Sequence, residues 1–177
     1  MTEKYHVIES EWDYNGLHCV IVFNGNTCSR CGYVGIPKNN PYYNHSSFID
    51  NGEFSVHGGI TFDEIGSYPV KYGKDTRWIG FDCAHCDDLQ DLDSFNKYIE
   101  NGDLVMPEAK ANAIRQVVGL GGLHFYTPED GANEWDEGSV GVEVENLADQ
   151  VAVSIGSLLT KKLKEGKTLQ EAAKECR

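Results

Sequence analysis

Apolar and polar positions divide the chain into two textures. Up to about residue 88 the apolar runs are short and strand-like. Leu17-His18-Cys19-Val20-Ile21-Val22-Phe23 has the length and content of a strand. Asn15-Gly16 before it is a two-residue hairpin turn that pairs it with the region of Trp12, and Asn24-Gly25-Asn26 closes it. Tyr33-Val34-Gly35-Ile36 predicts a further strand, stopped by Pro37. Asn39-Asn40-Pro41 opens an aromatic loop through Tyr42, Tyr43, His45 and Phe48. Short strands are expected at Phe54 to Val56, Ile60 to Phe62 and Trp78 to Phe81, with a loop from Gly66 to Lys74 joining the last two.

Beyond Asp88 the period changes. Asp93 is placed to cap a helix from Ser94 to Glu100, ended by Asn101-Gly102. Pro107 suits the first turn of a second helix, running to about Val118 and ended by Gly119, Gly121 and Gly122. The acidic stretch from Glu129 to Glu137 has few apolar residues and reads as a loop. Val144, Leu147, Ala148, Val151, Ile155, Leu158 and Leu159 recur at three- and four-residue steps, the apolar stripe of a long amphipathic helix. Lys161, Lys162 and Lys164 complement the dipole at its end, and Thr168 with Glu171 forms a capping-box pattern for a last short helix.

The pattern predicts an α+β fold: a mainly antiparallel sheet, helices packed on one face, and a long C-terminal amphipathic helix. A single domain over residues 1–177 is expected, with a β-rich core at 1–88, a helical and loop expansion at 89–139, and C-terminal helices at 140–177. There is no internal repeat or low-complexity tract.

Composition narrows the function classes. With 40% hydrophobic residues the chain has the means to fold. No stretch approaches the roughly 20 apolar residues that span a bilayer. Met1-Thr2-Glu3-Lys4-Tyr5-His6 contains no apolar signal region, so a cytoplasmic location is expected. The net charge of -13 argues against general nucleic-acid or anionic-membrane binding. A small anionic ligand still fits if a local basic cluster opposes the global sign. Lys71, Lys74 and Arg77, just before Trp78, are such a cluster, or else a solvated loop.

Reactive groups gather in two segments, His57-Gly58-Gly59-Ile60-Thr61-Phe62 and Trp78-Ile79-Gly80-Phe81-Asp82-Cys83-Ala84-His85-Cys86-Asp87-Asp88. Three readings follow. The first is zinc. Cys28-Ser29-Arg30-Cys31-Gly32-Tyr33 resembles a zinc knuckle, and Cys83 with Cys86 would complete a four-sulfur site, although the separation of the pairs far exceeds that of an ordinary ribbon. The alternative is four reduced thiols, some of them buried. The second is catalysis: Cys83 as nucleophile, His57 or His85 as base, Asp82 or Asp88 as the orienting carboxylate, or the same histidines and aspartates around a catalytic metal. Along a strand Cys83 and His85 share a face and Asp82 takes the other. The third is binding without chemistry: Gly58 and Gly59 bring backbone amides close, Tyr42, Tyr43 and Trp78 stack on a planar ring, and Lys71, Lys74 and Arg77 meet phosphate or carboxylate.

These two segments, with Cys31-Gly32-Tyr33-Val34-Gly35-Ile36-Pro37 upstream and the helix carrying Glu143, Glu145, Leu147, Ala148 and Gln150 downstream, resemble a family of uncharacterised proteins common in phage and actinobacterial genomes. The similarity covers roughly residues 17 to 88 and 140 to 155. It implies that Cys31, His57, Asp82, Cys83, His85 and Asp88 belong to a shared pattern, from which Cys28 and Cys86 depart. It also implies a phage or mobile-element origin and work in the host cytoplasm, with action against host defence as the expected role. The expected ligand is then a small anion such as a nucleotide-derived immune signal, bound or hydrolysed. The competing expectation is an acidic module that binds and inhibits a host protein. Self-association is left open by the sequence.

Overall fold

The structure, a computed structural model, describes residues 2–49, 52–66, 69, 75–120, 132–168 and 170–171, with only the backbone of 157, 158 and 161. Its frame is an antiparallel five-stranded sheet in the order β1-β2-β3-β5-β4. The strands are β1 (His6–Tyr14), β2 (Leu17–Asn24), β3 (Ser29–Pro37), β4 (Phe62–Ile65) and β5 (Thr76–Asp82). Asn15 and Gly16 both have positive φ (51° and 76°), as the tight turn needs, and Tyr14 pairs with Leu17 across it. β1 and β4 are the edges; β1 carries a register shift between Ile8 and Ser10.

Among the described residues three long helices follow: α1 (Leu92–Asn101), α2 (Glu108–Gly119) and α3 (Glu137–Lys164). Asp91, not Asp93, caps α1 by accepting the Ser94 amide at 2.8 Å, and Gly102 ends it at φ 75°. α3 lies across β1, β2 and β3. It sets Val140, Val144, Leu147, Ala148 and Val151, all fully buried, against Cys19, Ile21, Val34, Ile79 and Phe81. Burying each large side chain contributes about 1.5–3 kcal/mol, so this seam anchors the fold. α1 and α2 meet the same sheet face further along, where Phe23 and Val7 pack with Phe95, Leu104 and Ala111. The opposite face gathers Val20, Val22, Cys31, Tyr33 and Trp78. No helix among the described residues is long and apolar enough to cross a membrane.

The segment expected to form strands at Phe54–Val56 and Ile60–Phe62 behaves differently. Only Phe62 onward is strand; before it, Phe54 and Ile60 are buried in the core but the backbone is irregular. Thr61 N reaches the Gly80 carbonyl of β5 at 2.9 Å, and α3 side chains meet polar groups further back. Gln150 accepts the Ser55 amide at 2.7 Å and donates to the Ser55 carbonyl at 2.8 Å. Glu143 accepts the His57 amide at 2.7 Å. The expected capping box is formed, with Glu171 accepting from Thr168 N and Oγ1 and donating its amide back; most of the helix expected after it lies outside the described residues.

Two buried arginines fasten the irregular parts. Arg77 forks onto Asp63 (2.7 and 2.6 Å) and donates to the carbonyls of Tyr42, Tyr43, His45 and Ser46, with Phe48 beneath it at 4.6 Å. Arg30 forks onto Glu9 (2.8 and 2.9 Å) and reaches Asp91, Ser94 Oγ and the Trp135 carbonyl.

Candidate metal centre

The loop after β5 turns back on itself at His85–Asp88. The Asp88 amide donates to the His85 carbonyl at 3.1 Å, and Asp88 Oδ2 accepts the His85 amide at 2.9 Å. This reciprocal turn fixes the aspartate one-sidedly, with its carboxylate facing inward at 1% exposure. His57 arrives from the segment held by α3, and its Nε2 lies 2.8 Å from Asp88 Oδ2. His85 Nδ1 lies 3.2 Å from the same oxygen. The other oxygen, Oδ1, accepts the indole N–H of Trp135 at 2.8 Å. The two imidazoles meet edge to face at 4.9 Å, and Trp135 packs on His57 at 4.3 Å.

Burial acts to raise the Asp88 carboxyl. The hydrogen bond from His57 and that from the His85 amide, with the His57 charge, outweigh it and hold the carboxyl below the usual carboxylate range. The group is therefore ionised at neutral pH, and an ionised carboxylate only accepts, so each ring presents N–H toward it. The donor set is also a metal set. His57, His85 and Asp88 place one ligand atom each within 4.8 Å of the others. Zinc bonded to nitrogen and oxygen at about 2.0–2.1 Å keeps tetrahedral donors roughly 3.3 Å apart. To bind an ion there, each ring would have to give up the N–H it presents to Asp88, and the 2.8 and 3.2 Å separations would open by up to about half an ångström.

Gly58 makes this arrangement possible. It has φ 66°, and a Cβ there would stand 2.0 Å from His85 Cε1. Gly58→Ala is expected to cost more than the roughly 1–2 kcal/mol of a left-handed non-glycine residue, because His85 must also move. Thermal melting together with the imidazole NMR signals of His85 checks this; an unshifted His85 would show that the site tolerates the methyl.

The other expected site residues are placed elsewhere. Asp82 pairs with Cys31 and so takes the sheet face opposite Cys83. Cys83 is 1% exposed in the α3-side core. Burial, then the neighbouring carboxylates led by Asp88, pushes its thiol far up, so the thiolate that a nucleophile needs is suppressed. The four-cysteine zinc site is not formed: Cys28, Cys31 and Cys83 sit in three separate apolar clusters, and Cys86 is exposed. Of the knuckle-like residues 28–33, Cys28, at φ 51°, ends the β2–β3 turn and the rest are the start of strand β3. Burial pushes the Cys28 and Cys31 thiols up to about 12. Thiol reagents should accordingly modify Cys86 in the folded protein and reach Cys19, Cys28, Cys31 and Cys83 only on unfolding; peptide mass mapping after a short pulse reads this.

The ligand-binding expectation for Tyr42, Tyr43, Arg77 and Trp78 is corrected as well. Tyr42 and Tyr43 are buried in the α3-side core, Trp78 is fully buried on the other face, and Arg77 spends its donors on Asp63 and loop carbonyls. Lys71 and Lys74 lie outside the described residues. Gly59 keeps open space around it at φ 84°, and Gly58 serves the histidine instead of a ligand.

Three roles were not read from the sequence, those of Trp135, Glu143 and Arg30, the last two noted there only as members of longer motifs. Trp135 stood in a stretch read as plain acidic loop; a lone tryptophan among carboxylates was the available signal. A cavity of about 510 Å³ lies on the Arg30 side of Trp135, with Asp91, Asp93, Glu134 and Asp136 also lining it. It does not include the two histidines. Comparison with protein families, curated proteins and solved structures finds no match to this chain.

Proposed function

We propose that this protein is a metal-dependent hydrolase of a small anionic ligand, with zinc held by His57, His85 and Asp88. One observation carries the reading: two imidazole nitrogens converge on one carboxylate oxygen, three zinc-compatible ligand atoms in all, with His85 about one-third exposed and Asp88 buried. Structural zinc sites use four protein ligands, whereas catalytic ones use three and leave a position for water or substrate, whose bound water then has a pKa near 7. The partly exposed imidazoles would leave that position on their solvent side. The ion also supplies the positive charge that an anionic ligand needs on a chain of net charge -13, now that Arg77 is internally paired. The resemblance to phage proteins makes nucleotide-derived signals the first ligands to offer.

The test has two stages. Metal-stripped protein is titrated with zinc, and uptake near one equivalent is expected for the wild type and none for His57→Ala with His85→Ala. The zinc-loaded protein is then incubated with a panel of cyclic nucleotides, and free and heat-released nucleotide are separated. Conversion supports hydrolysis. Intact release restricts the role to sequestration, and zinc uptake undiminished in the double variant sinks the reading.

A further inference from the structure

The metal ligands proposed above rest on a residue that is not itself a donor. Trp135 touches two of the three. Its indole N–H is bonded to Asp88 Oδ1 at 2.8 Å, and its ring packs on His57 with centroids 4.3 Å apart. Asp88 accepts from His57 and His85 through Oδ2 alone, so the bond to Oδ1 sets the rotation of the carboxylate about its own axis. Trp135 is in turn fixed from its backbone. Arg30 donates to its carbonyl at 3.1 Å, and the neighbouring Asn133 is tied into the histidine loop by Asn133 N to Asp87 O (2.8 Å) and Leu89 N to Asn133 O (2.9 Å). Ligating carboxylates in metal sites are characteristically hydrogen-bonded by such outer partners, and losing one typically weakens metal binding by 10–100-fold.

We infer that Trp135 is the positioning residue of the metal centre: it turns Asp88 Oδ2 toward the two imidazoles and tunes how tightly the ion is held. This rests on the metal reading above. It assigns a functional role to the described stretch just before α3, whose described residues contribute no ligand atom of their own to the site.

Trp135→Phe tests it, because phenylalanine keeps an aromatic ring against His57 and deletes the N–H donor together with part of the indole's bulk, which the melting measurement accounts for. Zinc affinity is measured by competition with a chromophoric chelator, and the visible ligand-field spectrum is recorded with cobalt(II) in place of zinc. Metal-free melting is followed alongside. The expected result is a 10–100-fold weaker zinc affinity and an altered cobalt spectrum, with one equivalent still taken up at saturation. Affinity within twofold of wild type together with an unchanged cobalt spectrum overturns the inference while leaving the metal reading intact. Failure of the wild type to bind either ion overturns both. Trp135→Tyr, which also lacks the indole donor, serves if the phenylalanine variant does not accumulate in folded form. A purely structural role predicts lowered melting with unchanged affinity and spectrum, and that outcome too rejects the inference.

Discussion

Asp88→Ala should unfold about 10 °C earlier than the wild type and take up no metal. Asp88 is the acceptor for both imidazoles, the His85 amide and the Trp135 indole, and it is 1% exposed. The two rings, partly open to solvent, can find water when the carboxylate is gone. The amide and the indole lose their acceptor in the interior, at about 1–3 kcal/mol for each unsatisfied group. A total of about 3–5 kcal/mol corresponds to roughly 10 °C, at 2–4 °C per kcal/mol for a chain of this size. The pH dependence has a definite sign. The folded-state carboxyl is held below its unfolded value, so its contribution is present above about pH 4 and is lost as the pH falls through the lowered folded value. The melting gap between wild type and Asp88→Ala should therefore narrow on acidification from pH 7 toward 3, without vanishing, because a protonated Asp88 still accepts hydrogen bonds. A gap of constant width would show that the charge of Asp88 is not what stabilises the site.

Arg77→Ala should be comparably damaging, far from the histidines. The side chain is the only described link between Asp63 on β4 and four carbonyls of the 42–46 segment. Asp63 is 4% exposed, and its carboxyl is held low by the Arg77 hydrogen bonds against the raising effect of burial. Removing the partner leaves a buried charge uncompensated, at about 3–5 kcal/mol. Arg77→Lys should recover part of this, because a point charge cannot make the planar fork and serve the carbonyls together. Urea unfolding of both variants gives the order. Had Arg77 been a solvent-facing anion contact, as its place after two lysines suggested, alanine there would barely move the midpoint.

That contrast explains what the sequence could reveal. Apolar periodicity exposed the α3 seam because Val144, Leu147, Ala148 and Val151 face a single surface, and helix geometry is local. The Asn15-Gly16 turn and the β2 run were equally legible, as was the gathering of His57, His85 and Asp88 in two short segments. Burial of polar groups was not. Whether a cation meets solvent or a carboxylate distant in sequence depends on strand register, and nothing local distinguishes Arg77 from Lys71 or Lys74. The cysteine pairs misled for a similar reason: two residues that share a spacing rule can still be placed on opposite sides of the sheet, as Cys28 and Cys31 are. The roles of Trp135 and Glu143 escaped notice because each acts on a residue remote in the chain.

The strand order has a consequence for how the molecule assembles. β1, β2 and β3 form a meander of neighbouring hairpins that can zip from tight turns. The partner of β3 is β5, which brings Thr76 to Pro37 and Asp82 to Cys31 across the whole intervening segment. Such a closure is entropically slow, and until it occurs β3 is an open edge bearing Tyr33, Val34 and Ile36. Nascent chains should therefore be most vulnerable to intermolecular strand pairing in that interval. Refolding yield should fall as protein concentration rises, even under conditions where the finished molecule is stable.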